Sequence, residues 1–218
     1  MSIASDMIEK ITKQFKLGPD SMHGISHWMR VERLGLMLAE KTGADRCVVS
    51  MFAYLHDSKR ENELVDPEHG ARAADFVSEL HKSGEISISK KPMEQLTHAC
   101  RYHNDPTAKS ADITVMTCWD ADRLDLWRVG DTPDPARLNT AAARDPSMIK
   151  FASLLLKPQK KDRLVQKQKA KKGREIIFTH RDCEELVTSE QMREVEELLA
   201  DMLFRGWLKE KGFSEEKK

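Results

Sequence analysis

An apolar helical face in this chain ends at two adjacent residues that are difficult to bury, His56 and Asp57. The face is formed by four residues at helical spacing: Val48, Val49, Phe52 and Leu55. An imidazole and a carboxylate at this position can bind one metal ion, and the carboxylate can bridge to a second. Taken alone, such a pair is more often a hydrogen-bonded core histidine beside a surface acid. The metal interpretation therefore depends on partners elsewhere in the chain.

Helical spacing places further histidines and an aspartate among apolar residues in four other segments. These residues are His27 before Val31, Leu34 and Leu38, His69 before Ala73, His103 after Ala99 and Cys100, and Asp122 between Trp119 and Leu126. A buried carboxylate without a partner costs several kcal/mol, so Asp122 requires a cation, a hydrogen-bond donor or a metal ion. We therefore expect a cluster of inward-facing ligands that is drawn from several helices.

Two of the remaining histidines are expected to be structural or solvated, and two aspartates near Asp122 are expected to be ordinary by comparison. His81 lies at the end of its helix, His98 lies off the apolar face, and Asp120 and Asp125 fall on faces next to that of Asp122. His23 stands one turn before His27, where a residue at the rim of a pocket or a helix cap is expected.

The composition is typical of a soluble globular protein. The chain of 218 residues is long enough for one domain and an appendage, and its 36 basic and 36 acidic residues leave no net field that would attract nucleic acid. It contains no run of 18 apolar residues, and its first residues lack a signal-type apolar core, so we expect a cytoplasmic protein without a membrane span. The four cysteines lie at no metal-type spacing, which favours reduced thiols.

The order and context of the ligand candidates resemble the HD superfamily of metal-dependent phosphohydrolases. The resemblance covers about residues 8–127 and rests on three segments: His23-Gly24-Ile25-Ser26-His27-Trp28, His56-Asp57 and Asp120-Ala121-Asp122-Arg123-Leu124. It implies an all-α HD-domain helical bundle. It also implies that one metal ion is bound by four residues, His27, His56, Asp57 and Asp122. His69 and His103 match the places of the second-metal ligands in binuclear members, and His98 would replace His103 if the helix register were shifted.

The same resemblance implies a phosphohydrolase that acts on a nucleotide or another small phosphate ester through a metal-activated hydroxide. His56 and Asp57 are the expected catalytic residues, and the ligand types suit one or two divalent ions of Fe, Mn, Co, Ni or Zn. Five basic residues near the ligands are candidates to bind the phosphate: Lys59, Arg60, Arg72, Arg101 and Arg123. Two alternatives remain open, namely a di-iron HD-type oxygenase and a non-catalytic HD module that binds a ligand or partner.

The C-terminal part differs in character from the rest of the chain, and we expect residues 1–156 to form the metal-binding domain and residues 157–218 an extension. The segment from Lys157 to Arg174 holds nine Lys or Arg and one Asp, and it could form a β-hairpin that turns at Lys171-Lys172-Gly173. A solvated loop is favoured over a nucleic-acid or acidic-partner surface. A capping box at Thr188 and Gln191 predicts a final helix, which would dock on the bundle or on a second subunit of a homodimer.

Overall fold

The computed structural model describes residues 5–156, and all regular structure in this range is helical. Eight α-helices follow one another: α1 (Ser5–Gln14), α2 (Ile25–Thr42), α3 (Arg46–Leu55), α4 (His69–Lys82), α5 (Lys90–Tyr102), α6 (Ile113–Leu124), α7 (Ala141–Arg144) and α8 (Pro146–Leu154). Two 3₁₀ helices, Asp125–Val129 and Pro135–Arg137, connect α6 to α7. The predicted all-α bundle is confirmed. The predicted hairpin and final helix lie outside the described residues, and the domain boundary stays a prediction.

Helices α2, α3, α5 and α6 form the centre of the bundle. Helix α2 packs on α3 and α6, both α3 and α6 contact α5, and α4 packs on the outer side of α5. Large apolar side chains fill the space between them, and Trp28, Phe52 and Trp119 are fully buried. Gly35 allows α2 and α3 to approach closely, because a Cβ atom there would lie 2.5 Å from Cγ1 of Val49. Within residues 5–156, no helix is both long and apolar enough to cross a membrane.

Aspartate caps fix the starts of two of the helices that deliver ligands to the centre. The position of Asp45 before the apolar face of α3 predicts a cap, and its carboxylate accepts hydrogen bonds from two backbone N–H groups in the first turn of that helix. Asp112 caps α6 in the same way. Such caps stabilise a helix by about 1 kcal/mol each. Helix α3 then ends at Leu55, so His56 and Asp57 lie in the turn that follows it.

The boundaries of two helices differ from those that the sequence pattern predicts. Helical spacing of apolar residues predicts one helix over residues 111–129 and another that begins at Pro92. The first ends as an α-helix at Leu124 and continues as a 3₁₀ helix to Val129, where Gly130 with a φ of 86° terminates it. The change coincides with Asp125, whose buried carboxylate is held by partners on α2. Helix α5 begins at Lys90 rather than at Pro92, which lies in the first turn, where a missing N–H group costs little.

Candidate metal centre

The bundle brings the six predicted metal ligands together at the ends of different helices. His27 comes from α2, His56 and Asp57 from the end of α3, and His69 is the first residue of α4. His103 follows α5, and Asp122 lies on α6. The first five are buried, and the Asp122 side chain is 17% exposed. Their donor atoms form three overlapping groups in which all atoms lie within 4.8 Å of one another: His27–His56–Asp57, His56–His103–Asp122 and Asp57–His69–His103.

Each of the four imidazoles has its Nδ1 atom next to an oxygen that can only accept a hydrogen bond. The acceptors are Asp125 Oδ2 for His27 at 2.7 Å, the carbonyls of Phe52 and Ala53 for His56 at 3.1 Å each, the carbonyl of Asp66 for His69, and the carbonyl of Cys100 for His103 at 2.8 Å. A neutral ring that donates from Nδ1 has no proton on Nε2. In their neutral forms, all four rings therefore present an Nε2 lone pair to the centre.

These lone pairs face each other in two pairs. The Nε2 atoms of His27 and His56 are 3.1 Å apart, and those of His69 and His103 are 2.8 Å apart. Two neutral rings oriented in this way have no proton between them, so their lone pairs repel. A cation shared by the two nitrogens removes the repulsion, and neutral imidazole is a common metal ligand. The arrangement therefore fits a metal ion at each pair.

Asp57 lies between the two pairs and presents one oxygen to each. Its Oδ2 atom is 3.7 Å from Nε2 of both His27 and His56, and its Oδ1 atom is 3.1 Å from Nε2 of His69 and 3.4 Å from Nε2 of His103. Oδ1 is buried and has no hydrogen-bond partner among the described residues. An unsatisfied buried acceptor costs about 1–3 kcal/mol, so this oxygen also calls for a cation.

Asp122 joins only one of the pairs, because its Oδ1 atom lies 3.4 Å from Nε2 of His27 and 3.7 Å from Nε2 of His56. We refer to His27, His56 and Asp122 as the first subsite and to His69 and His103 as the second subsite. Asp57 is shared by both.

The electrostatics of the cluster favour positive charge at its centre. Burial lowers the pKa of His56 to about 3, against the opposing effect of Asp57 and Asp122, so its Nε2 lone pair is free at neutral pH. Burial opposes ionisation of Asp57, but the surrounding histidines outweigh it and hold the pKa of the carboxyl well below its ordinary value. For Asp122 the opposing effect of burial is likewise outweighed, here by His27, His56 and Arg128, and its pKa is lowered. The site thus keeps two carboxylates ionised.

Asp125 contacts the ligand cluster, which the sequence did not predict. It is fully buried and accepts a hydrogen bond from His27 Nδ1. The Nε and Nη2 atoms of Arg30 bind its two carboxylate oxygens at 2.7 and 2.9 Å. Carboxylates of this kind fix the tautomer and orientation of a metal-binding histidine. The only signal in the sequence is the spacing of three residues from Asp122, because both partners are more than 90 residues away along the chain.

Of the five predicted phosphate-binding residues, the structure places only Arg60 beside the cluster. Its Nη1 atom is 3.3 Å from the imidazole of His69 and 3.8 Å from Asp57 Oδ1. The other four point to neighbouring groups: Lys59 to Gln14 and the ring of Phe76, Arg72 to Asp66, Arg101 to Asp75, and Arg123 to the carbonyl of Arg137 and the ring of Trp119. His98 is exposed and stacks near Tyr102 and Trp119, which agrees with its predicted place off the ligand face.

Two further residues contact the cluster from the side of α2 and the 3₁₀ helix that follows α6. His23 is buried, and its Nδ1 atom lies 2.9 Å from Asp57 Oδ2. Its Nε2 atom lies 3.2 Å from the carbonyl of Glu63. Arg128 reaches His23 Nδ1 with its Nη2 atom at 3.4 Å. His23 was expected at a rim or cap, and it lies closer to the ligands than that expectation implies.

A search for similar proteins found no matching family model and no matching curated protein. Among solved structures, the crystal structure of a predicted HD superfamily hydrolase from an uncultured Thermotogales bacterium is similar. The two chains are 26% identical, the TM-score is 0.54, and the match covers 78% of this chain and 93% of the other. This similarity and the His/Asp cluster confirm the resemblance to the HD superfamily that the sequence motifs predict, and they support a hydrolase at the level of the superfamily.

Proposed function

We propose that this chain, which resembles the HD superfamily in motifs, fold and ligand cluster, is a metal-dependent phosphohydrolase that acts on a nucleotide or another small phosphate ester. The observation that carries the proposal is the convergence of four Nε2 lone pairs on one carboxylate, Asp57, whose buried Oδ1 atom has no hydrogen-bond partner among residues 5–156. Buried acceptors that face one another are costly unless a cation lies between them.

In this proposal the first subsite and Asp57 hold one divalent transition-metal ion, and the second subsite and Asp57 hold another. When bound, such ions lower the pKa of a coordinated water and neutralise charge on a phosphoryl group. Asp57 would contribute one carboxylate oxygen to each subsite. His56 would contribute a neutral imidazole, because its burial disfavours protonation. The metal could be Fe, Mn, Co, Ni or Zn, since imidazole and carboxylate ligands suit all five.

Positive side chains at the edge of the cluster support an anionic substrate. Arg60 is 8% exposed, and its Nε and Nη2 atoms donate to the carbonyls of Asn62 and Leu64. These bonds hold the guanidinium in place, so that its Nη1 atom faces His69 and Asp57 Oδ1. A fixed cation near the second subsite can stabilise a phosphate oxygen without a reorganisation cost at the moment of binding.

The experiment that tests the proposal is a phosphate-release screen under anaerobic conditions. The full-length protein is reconstituted separately with Mn, Fe, Co, Ni and Zn salts and incubated with nucleotides and small phosphate esters, with Asp57→Ala as the inactive control. We expect release of inorganic phosphate with at least one metal. A protein that holds metal, releases no phosphate anaerobically and consumes oxygen only with iron would instead be an oxygenase. A protein that holds no metal would be a ligand-binding module.

Two predictions on partners concern residues that the structure does not describe. The basic segment from Lys157 to Arg174, which the sequence favours as a solvated loop over a nucleic-acid surface, lies outside the described residues. A homodimer contact through the final helix lies there as well.

A further inference from the structure

We propose that Arg128 binds two oxygens of the substrate's phosphate group beside the first subsite. The inference rests on the proposed function and assigns a residue that the sequence motifs do not indicate. Arg128 belongs to the 3₁₀ helix Asp125–Val129, which directly follows the helix that carries Asp122.

Arg128 is held at the cluster by its own backbone neighbourhood. Its Nη1 atom donates to the carbonyl of Asp125 at 3.3 Å and lies 4.0 Å from Oδ1 of Asp122. The side chain is only 9% exposed. A buried guanidinium stays charged, so it requires acceptors for its N–H groups.

One edge of this guanidinium is incompletely paired among the described residues. The Nε atom is buried and has no hydrogen-bond partner there. The neighbouring Nη2 atom makes only a long contact of 3.4 Å with His23 Nδ1, a nitrogen that also lies 2.9 Å from the carboxylate of Asp57. The Nε–Nη2 edge therefore has at least one hydrogen bond unmade, which costs about 1–3 kcal/mol for a buried donor.

Arg30 shows what this edge binds when it is satisfied. Its Nε and Nη2 atoms bind the two oxygens of Asp125 at 2.7 and 2.9 Å. Both arginines contact Asp125, and the same edge is fully paired in Arg30 but not in Arg128. A pair of oxygens from one anion, as in a carboxylate or a phosphate, is the group that matches this edge.

Phosphate fits the position better than a carboxylate. A carboxylate would use both oxygens on the guanidinium, whereas a phosphate group retains further oxygens that can face the first subsite. An uncharged polyol would place no anionic oxygen on this edge and would form no charge-assisted pair of hydrogen bonds. The substrate class that Arg128 selects is therefore a phosphate ester with at least two free oxygens on phosphorus.

The test measures binding of inorganic phosphate, and of acetate for comparison, to the metal-loaded full-length protein by calorimetry. The variants are Arg128→Gln, Arg128→Lys and the control Arg46→Gln, whose exposed side chain pairs with Glu40. Metal content is measured on every sample by plasma emission. We expect phosphate to bind the parent more tightly than acetate, and Arg128→Gln to weaken phosphate binding by about 10- to 100-fold, as the loss of charge-assisted hydrogen bonds implies. The metal content of all variants should equal that of the parent. The phosphate affinity of Arg128→Lys should lie between those of the parent and Arg128→Gln, and the phosphate affinity of Arg46→Gln should equal that of the parent.

Unchanged phosphate affinity in a folded, metal-loaded Arg128→Gln protein would overturn the inference, as would equal binding of acetate and phosphate by the parent. If Arg128→Gln does not fold, Arg128→Lys decides by the same criterion. Loss of metal in parallel with loss of phosphate affinity would assign Arg128 to the support of Asp122 instead. A parent that binds phosphate through Arg128 but hydrolyses no ester would contradict the proposed phosphohydrolase activity and leave the Arg128 site standing.

Discussion

The two subsites of the cluster differ in how completely the protein supplies their ligands. The first subsite contributes two imidazoles and the carboxylate of Asp122, and Asp125 and Arg30 brace His27 from outside. The second subsite contributes two imidazoles, and its Nδ1 atoms are held by backbone carbonyls of Asp66 and Cys100. We therefore expect the first subsite to bind a metal ion more tightly than the second, which would depend on the shared Asp57.

The largest effect is expected for Asp57→Ala, because this is the one ligand common to both subsites. We expect a folded helical protein that loses metal from both subsites and whose kcat/KM falls by at least about 10²-fold, measured by steady-state kinetics and plasma emission. Asp75→Ala, at an exposed position on α4, is the control. A variant that kept more than about a tenth of the parent kcat/KM would have lost less than about 1.4 kcal/mol of transition-state stabilisation. That result would contradict the role of Asp57 as the ligand shared by both subsites.

A smaller effect, confined to the first subsite, is expected for Asp125→Asn. An amide cannot accept from both His27 and Arg30 as the carboxylate does, so His27 loses its fixed tautomer and the affinity of the tighter metal ion should fall by about 10- to 100-fold. The measurement is a competition with a chelator. Asp66→Asn is the matched control, because the carbonyl that braces His69 belongs to the backbone and remains. Equal metal affinities in Asp125→Asn and the parent would show that this brace has no function.

The smallest effect is expected for Gly70→Ala, which alters the approach of α4 to α5. A Cβ atom at Gly70 would lie 2.8 Å from the carbonyls of Cys100 and Arg101, so the helices must separate and His69 must move away from His103. We expect a loss of about 1–3 kcal/mol in the free energy of unfolding, together with weaker metal binding at the second subsite. Gly84→Ala is strained by its φ of 80°, but a Cβ atom there would meet no atom within 4 Å. It should lower stability without changing metal content, and the same metal loss in both variants would contradict the role of Gly70.

Much of the fold and of the ligand set could be predicted because both depend on local periodicity. Apolar spacing fixes which face of each helix is buried, and a histidine or aspartate on such a face is recognisable from the sequence alone. The C-terminal end of α6 was harder to predict, because the change to a 3₁₀ helix at Asp125 accompanies contacts with α2 that are distant in sequence. Asp120 illustrates the same limit: it was expected to be ordinary, yet it is fully buried and accepts hydrogen bonds from Asn139 and Thr140.

The basic residues were the least predictable part of the site. Closeness in sequence to a ligand does not determine where a long side chain points, and local carboxylates bind two of the candidates, with Asp66 holding Arg72 and Asp75 holding Arg101. Arg128 was not among the candidates, because it lies in the 3₁₀ helix that replaces the end of the predicted α-helix.

The central claim is that the cluster holds two metal ions, one at each subsite, and metal stoichiometry tests it most directly. The parent and three variants, His69→Ala, His103→Ala and His98→Ala, are reconstituted and measured by plasma emission. The account predicts two ions per chain in the parent and in His98→Ala, whose ring is exposed and lies off the cluster. It predicts one ion in His69→Ala and in His103→Ala, since each removes an Nε2 ligand of the second subsite. A parent without metal, or unchanged stoichiometry in both second-subsite variants, would contradict it.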